Sequence, residues 1–249
     1  MLDVVQRIIT ALTPTQGTKE WLDWRKTRLT ASDACALTGN AVKTRQSLLL
    51  KKTSPNAVQF KGNEFTESGH INEPIAAELY AKITGRELMT DIRPVEHQQY
   101  NWLAASLDAV TACGRNVEIK CLHTTKVLNK PKAVHVKQAQ IQMACTGLRV
   151  TDLTYYYPNI NKRLDIHTVE YDDEWFMSVL PKFQAFATEL QAAHACCYDL
   201  EQEEWLFDNN DDDEDDNIWQ MITDNMEDVD DEMIVLWPVD TTQADWLGM

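Results

Sequence analysis

The sequence predicts an α/β domain over residues 1–200, a central mixed sheet flanked by helices, followed by an acidic C-terminal tail over 201–249. Three observations predict it. Short runs of strand-favouring residues recur at 106–110, 117–121, 152–157 and 164–169, bounded by turn residues or helical stretches. Apolar residues recur at helical spacing over 69–84, 135–144 and 173–200. Charge then divides the chain: all 23 basic residues and 21 of the 39 acidic ones lie in 1–200, whereas 201–249 holds 18 acidic residues and no Lys or Arg.

Composition bounds the function classes. A chain of 249 residues can bury a sizeable core. No run approaches the roughly 18 apolar residues of a membrane span. Met1 to Arg7 lack a basic start followed by an apolar block, so no signal peptide is expected, and the expected location is cytoplasmic. Cys35, Cys113, Cys121, Cys145 and the adjacent Cys196 and Cys197 form no C-x-x-C. That argues against a zinc ribbon or an iron–sulfur site and for reduced, mostly buried thiols. The net charge of -16 speaks against a nucleic-acid protein until the tail is set aside. The body alone, with 23 basic against 21 acidic residues, permits one.

In chain order, residues 1–13 read as a short amphipathic helix ending near Pro14. Thr18 is placed to cap a helix from Lys19 through Trp24 toward Arg28, with Trp21 and Arg25 four apart on one face. Thr30 or Ser32 caps the next helix, ending near Gly39. A helix N-terminus with hydroxyls, approached by Arg25, is an anion site; a plain N-cap beside a surface arginine is the alternative. Residues 44–62 mix a helical patch with a Ser-Pro-Asn turn. Lys43, Arg45, Lys51, Lys52 and Lys61 suit nucleic-acid backbone contacts or plain solvation. A helix over 69–84 stops at Gly85, with Pro74 in its first turn and His70 and Glu73 on one face. Residues 87–105 read as strand, turn and strand. A polar connection over 122–132 carries Lys126, Lys130 and Lys132. The helix over 135–144 ends at Gly147 and puts Gln138, Ile141 and Gln142 on one face, so a glutamine can look toward the strands. A long amphipathic helix over 173–200, interrupted near its start by Pro181, closes the domain.

The chemistry concentrates at 106–121. Thr111 to Asn116 supply turn residues between two strand runs, a β-hairpin signature. Alternation puts Glu118 and Lys120 on one face and Val117, Ile119 and Cys121 on the other, with Asp108 beside the first face. Two carboxylates and an amine at a sheet end suit metal-assisted hydrolysis. Mg²⁺ takes one or two carboxylates plus waters and substrate phosphate oxygens. The metal lowers the pKa of water and neutralises phosphoryl charge. The plain alternative is a hairpin with a surface Glu/Lys pair. Glu73 reads either as a further carboxylate for this cluster or as a favourable charge at a helix N-terminus.

Taken in order, these motifs resemble the phage lambda exonuclease family, viral-type recombination exonucleases of the PD-(D/E)XK nuclease superfamily. They are W-x-x-x-R at Trp21 and Arg25, T-A-S at Thr30 to Ser32, and G-H-x-N-E-P at Gly69 to Pro74. S-L-D at Asp108, E-I-K-C at Glu118 to Cys121, and Q-x-Q at Gln138 and Gln140 complete the set. The resemblance spans about residues 17 to 170. It implies a restriction-endonuclease-like core and a Mg²⁺-dependent exonuclease, with Mn²⁺ substituting, that degrades one strand of linear duplex DNA 5′ to 3′. By motif, Asp108, Glu118 and the Ile119 carbonyl would bind metal, and Lys120 would act on the attacking water. Glu73 would serve a second metal or its waters, and Gln138 would support the lysine and water. Arg25, Ser32 and Thr30 would hold the terminal 5′-phosphate. The resemblance also implies a homo-oligomer, a trimeric ring. Two departures stand out: Leu107 replaces the superfamily's proline before the Asp, and His135 stands where related members often carry Tyr.

Over 201–249 the acidic run Asp211 to Asp216 reads as disordered, yet Trp205, Phe207, Trp219, Trp237 and Trp246 punctuate the tail. Three readings stay open there: docking of a single-strand annealing protein, a DNA mimic folding over the basic channel, or a solubilising tail. For the whole chain, a structure-selective or single-strand nuclease and a catalytically silent DNA-end-binding module are the alternatives.

Overall fold

The computed structural model describes residues 2–39, 42–54 and 64–196. The tail, Lys61, most of the Ser-Pro-Asn turn and residues 197–200 lie outside them.

The strands form two sheets. A five-stranded mixed sheet runs β2-β5-β6-β7-β8, from Leu88–Met89, Ala109–Thr111, Asn116–Cys121, Val150–Tyr157 and Arg163–Glu170. A small three-stranded sheet pairs β1 (Leu29–Thr30), β4 (Leu103–Ala105) and β3 (Val95–Glu96). The hairpin expected at 106–121 forms: β5 and β6 pair antiparallel, with Ala109 opposite Val117. Its loop closes through Thr111 N–H to Arg115 O at 2.9 Å, and Gly114 supplies a φ of 84° that side-chain-bearing residues resist.

β6 and β7 run parallel, so the chain must cross over between them. The crossover is α6 (Ala133–Thr146), which ends where Gly147 takes a left-handed φ of 77° and its N–H bonds Met143 O. Alternation along β6 then sorts its two faces. Val117 and Ile119 pack against Ala76, Ala77 and Tyr80 of α5 (Glu64–Thr84). Glu118 faces α6, whose Gln138 and Gln142 reach it. α7 (Asp173–Cys196) drives Phe176, Leu180, Phe183, Phe186 and Leu190 into a separate core shared with α3 (Ala31–Ala36), Leu48 of α4 (Val42–Thr53) and Ile141 of α6. α1 (Leu2–Ile9) and α2 (Lys19–Lys26) complete the order.

Several boundaries differ from expectation. α1 stops at Ile9 rather than near residue 13, and Thr13 Oγ1 instead bonds Pro94 O. α5 begins at Glu64, so Pro74 lies inside it rather than in its first turn; Pro74 is exposed. Pro181 does not interrupt α7, because it sits on the outer face while the buried aromatic face carries the helix through. Residues 87–105 form three short strands in two sheets, not one strand–turn–strand unit. His97 N–H to Leu103 O at 2.8 Å turns the chain into β4. Of the described cysteines, Cys35 and Cys145 are buried, Cys121 is half-buried and Cys113 is exposed, so the thiols are less uniformly buried than expected. No described helix is long and apolar enough to cross a membrane.

Asp152, fully buried on β7, ties the elements of the α5 side together. Arg115 grips both its oxygens, Nε at 2.8 Å and Nη2 at 2.6 Å. Tyr80 Oη donates at 2.5 Å, Arg86 Nη1 at 3.0 Å and Thr168 Oγ1 at 3.0 Å. These donors hold the carboxyl below its ordinary range although burial pushes it up. Replacing Asp152 by Ala strands Tyr80 and Arg115, and should cost about 2–4 kcal/mol in urea unfolding, as loss of one partner from a buried charged network does.

Candidate active site

The site is built on Glu118, which is 2 % exposed. A carboxylate that deep needs donors on both oxygens. Lys120 Nζ, two residues along the same strand face, lies 2.7 Å from Oε1. Gln138 Nε2 donates to Oε1 at 2.7 Å, and Gln142 Nε2 donates to Oε2 at 2.5 Å. Gln142 Nε2 also reaches Ser106 O at 3.0 Å, which uses both its hydrogens. Asn116 Nδ2 donates to Gln142 Oε1 at 2.9 Å and to Thr151 Oγ1 at 3.1 Å. The amide of Gln142 therefore has one orientation, since a flip would set its oxygen against a carboxylate and a carbonyl. Gln142 is the residue that sequence reading placed on the right face but gave no role. Its signal was the four-residue spacing from Gln138.

Asp108 immediately precedes β5, the other strand of the hairpin, and accepts Ile119 N–H on Oδ2 at 2.7 Å. Burial raises its carboxyl well above the ordinary range, and the charges of Glu118 and Glu73 push the same way against Lys120 and the Ile119 amide. Burial disfavours the Lys120 ammonium, yet Glu118 and Asp108 outweigh it and raise that group. One ammonium thus faces an excess of carboxylates. Glu73, half-buried on α5, acts on Asp108 through charge, and among the described residues no three His, Cys, Asp or Glu side chains group closely enough to cage a metal. Two carboxylates with surplus negative charge fit a hard cation that keeps its waters and takes substrate oxygens, the coordination habit of Mg²⁺. They do not fit an all-protein cage.

His135 turns away from this cluster. Its Nδ1 lies 2.8 Å from Tyr155 Oη, which accepts Lys132 N–H at 2.8 Å. Burial, then Lys120 and Lys132, push the imidazole down to about 2, so it stays neutral.

The second group lies on α2 and α3. Thr18 caps α2 as expected, accepting Trp21 N–H at 3.2 Å. Arg25 stacks over Trp21 at 4.6 Å and points Nη2 toward Thr30 Oγ1 at 3.4 Å. Ser32 Oγ, exposed, is 3.3 Å from Thr30 Oγ1. Thr30 holds the N-cap position of α3, but its hydroxyl makes no capping bond. It donates instead to the buried carboxylate of Asp33 at 2.7 Å. α3 is only six residues long, so Arg25 and the hydroxyls, rather than a helix dipole, make this an anion-friendly corner. Of the basic residues at 43–52, Lys52 is buried against Asp33 and Arg45 is paired with Glu189 at 2.6 Å, so neither is a bare surface charge.

Both groups line one cleft of about 180 Å³. Arg25, Thr30 and Ser32 share its lining with Asp108, Glu118, Lys120 and Gln138, and Gln16, Trp21, Ala31 and Ser106 complete it. Of the residues singled out from the sequence, Glu73 and Ile119 do not line it.

Residues 20–149 match the model of the YqaJ-like viral recombinase domain. The alkaline exonuclease LHK-Exo of Laribacter hongkongensis is 26% identical and superposes with a TM-score of 0.64, covering 73% of this chain and 96% of that one. Its complex with dAMP gives 0.62 at 26% identity, over 72% and 95%. A phage-related exonuclease of Haemophilus somnus 129PT, 13% identical, shares the fold with a TM-score of 0.54 over 67% of this chain and 93% of that one. No curated protein matches the chain significantly.

Gln142→Leu removes a donor from Glu118 Oε2 and leaves Asn116 Nδ2 short of an acceptor. Chemical denaturation should show a loss of about 1–3 kcal/mol, the cost of unsatisfied buried polar groups. A loss no larger than that of a surface glutamine would mean that water replaces the amide.

Proposed function

The chain belongs to the family of YqaJ-like viral recombinase domains, in keeping with its lambda-exonuclease-like motifs, and on that premise we propose a Mg²⁺-dependent exonuclease. It degrades one strand of linear double-stranded DNA 5′ to 3′ from a 5′-phosphorylated end, in recombination or end resection. The observation that carries this reading is the shared cleft. An anion-friendly corner and a carboxylate–lysine cluster face the same space, so a terminal phosphate and the next phosphodiester can be engaged together.

Asp108, Glu118 and the Ile119 carbonyl would hold the metal, Mg²⁺ or in its place Mn²⁺, with Glu73 serving its waters or a second ion. A bound ion supplies Lewis-acid charge to the phosphodiester and acidifies water. The chain's own groups do the rest. Lys120, kept as an ammonium by Glu118 and Asp108, orients the attacking water and offsets charge on the phosphoryl oxygens. Gln138 and Gln142 fix the Glu118 carboxylate, and Gln138 also lines the cleft beside the lysine. Arg25, with Ser32 and Thr30, clamps the terminal 5′-phosphate and sets the register of the scissile bond. Water adds to phosphorus, the bond to the 3′-oxygen of the departing nucleotide breaks, and that oxygen takes a proton. The next nucleotide then carries a 5′-phosphate, ready for the same corner. Proposed partners are linear duplex ends, a single-strand annealing protein, and further copies of the chain in a trimeric ring.

The test uses linear duplex with a 5′-phosphate or a 5′-hydroxyl, plus a covalently closed circle, in Mg²⁺ or EDTA. Shortening from the phosphorylated 5′ end, a surviving circle, silence in EDTA, and a loss of about 10²-fold or more in Lys120→Ala are expected. A circle cut at the same rate would mean an endonuclease, and tight end-binding without product would mean a silent module.

A further inference from the structure

Helix α2 and the turn just beyond its C-cap carry the same stacked pair twice. Trp21 and Arg25, and Trp24 and Arg28, each stack at 4.6 Å, as the four-residue spacing dictates. The two arginines end in different electrostatic settings. Arg28 Nε lies 2.8 Å from Glu96 Oε1, which also accepts Trp24 Nε1–H at 3.2 Å. Its charge is spent within the fold. Arg25 also has a carboxylate neighbour, Asp33, but Nη2 stands 3.9 Å from Oδ2, beyond hydrogen-bond distance. That same oxygen already has two closer donors: Lys52 Nζ at 2.7 Å and Thr30 Oγ1 at 2.7 Å. Lys52 is 6 % exposed and also donates to Arg25 O at 3.1 Å, so it touches both partners from α4.

A lysine this deep is unusual, and a buried ion pair is a poor route to stability compared with apolar side chains of similar volume. Its position between Asp33 and the Arg25 backbone gives it another use. Burial pushes the Asp33 carboxyl up, and Lys52, ahead of Arg25, brings it down to about 2, so Lys52 is its main counter-charge. We propose that Lys52 is a positioning residue: by saturating Asp33 it keeps Arg25 from closing onto that carboxylate and leaves the guanidinium open to a terminal 5′-phosphate in the cleft. The proposal rests on the reading of Arg25 as the phosphate clamp. It adds that 5′-phosphate preference is set by a buried residue outside the cleft lining.

The experiment measures kcat/KM on 5′-phosphoryl and 5′-hydroxyl linear duplex with Mg²⁺ and the full chain, and takes the ratio, which overall loss of folded protein does not move. In Lys52→Met, Asp33 turns onto Arg25 and the ratio falls by about tenfold or more, as loss of a charge-assisted bidentate contact does. In the double variant Asp33→Asn with Lys52→Met no carboxylate remains to capture Arg25, and the ratio returns to within about threefold of the parent. Asp33→Asn alone leaves the ratio within the same range, because Lys52 already holds that carboxylate away. An unchanged ratio in folded Lys52→Met, or failure of the double variant to restore it, overturns the proposal. If Lys52→Met does not fold, Asp33→Asn decides: a rise of about tenfold would show that Asp33 competes for Arg25 despite Lys52, and would overturn it equally. Arg25→Ala separates the two layers. If it keeps the ratio, the phosphate clamp itself is wrong; if it loses the ratio while Lys52→Met keeps it, only the role of Lys52 falls.

Discussion

A carboxylate buried to 2 % exposure constrains everything around it, and here that carboxylate is Glu118. Its donors come from two elements. Lys120 comes from β6 itself, Gln138 and Gln142 from the helix that crosses over to β7. Asn116 and Thr151 sit opposite each other in the parallel β6–β7 register, and Asn116 locks Gln142 in turn. The polar network that charges the site is thus the one that seats α6 on the sheet. The opposite face of β6 is apolar and packed on α5. A one-residue register slip would press Val117 and Ile119 onto the glutamines and Glu118 into Ala76 and Tyr80, so the pairing is specified from both sides.

The second constraint is charge separation inside one small cleft. In one group Asp108 and Glu118 exceed the single ammonium of Lys120, and burial, with Glu118 adding to it, forces the Asp108 carboxyl upward. In the other group Arg25 keeps an open guanidinium because its nearest carboxylate is held by Lys52. An excess of carboxylate invites a cation, and an open guanidinium invites a phosphate. The proposed reaction needs both at the spacing of neighbouring phosphates on one strand. The Trp24–Arg28 stack shows the alternative fate of an identical local sequence, an arginine neutralised by Glu96.

Much of this was legible in the sequence because local chemistry decided it. The hairpin at 106–121 follows from strand-favouring runs, a glycine turn and period-two alternation. The ends of α5 and α6 follow from Gly85 and Gly147, and the start of α2 from Thr18. The neighbourhood of Asp108, Glu118, Lys120 and Gln138 followed from face-sharing together with the family motifs. What stayed hidden depended on long-range packing. Lys52 looked like a surface base, and only the approach of α4 to α3 buries it on Asp33. Thr30 looked like a cap, but a buried carboxylate three residues on takes its proton. The short strands β1, β3 and β4 carry too few residues for a pattern to register. Pro74 was read as a first-turn residue and Pro181 as an interruption because proline propensity is local, while the buried aromatic face that carries α7 past Pro181 is not.

That Asp108 and Glu118 together take a cation is tested most directly by thermal unfolding of the parent and Asp108→Asn with and without Mg²⁺. The folded-state carboxyl of Asp108 is raised, so the stability it contributes is fully present below the unfolded value of 3.8 and lost as pH rises through the raised value. Near neutral pH, in EDTA, the neutral isostere should therefore melt higher than the parent. Saturating Mg²⁺ should raise the parent by about 5–10 °C, the shift expected when a ligand at a hundredfold its Kd binds only the folded state of a domain this size. Asp108→Asn should barely respond. Equal Mg²⁺ shifts in both proteins, or a lower melting point for Asp108→Asn in EDTA, would contradict the account.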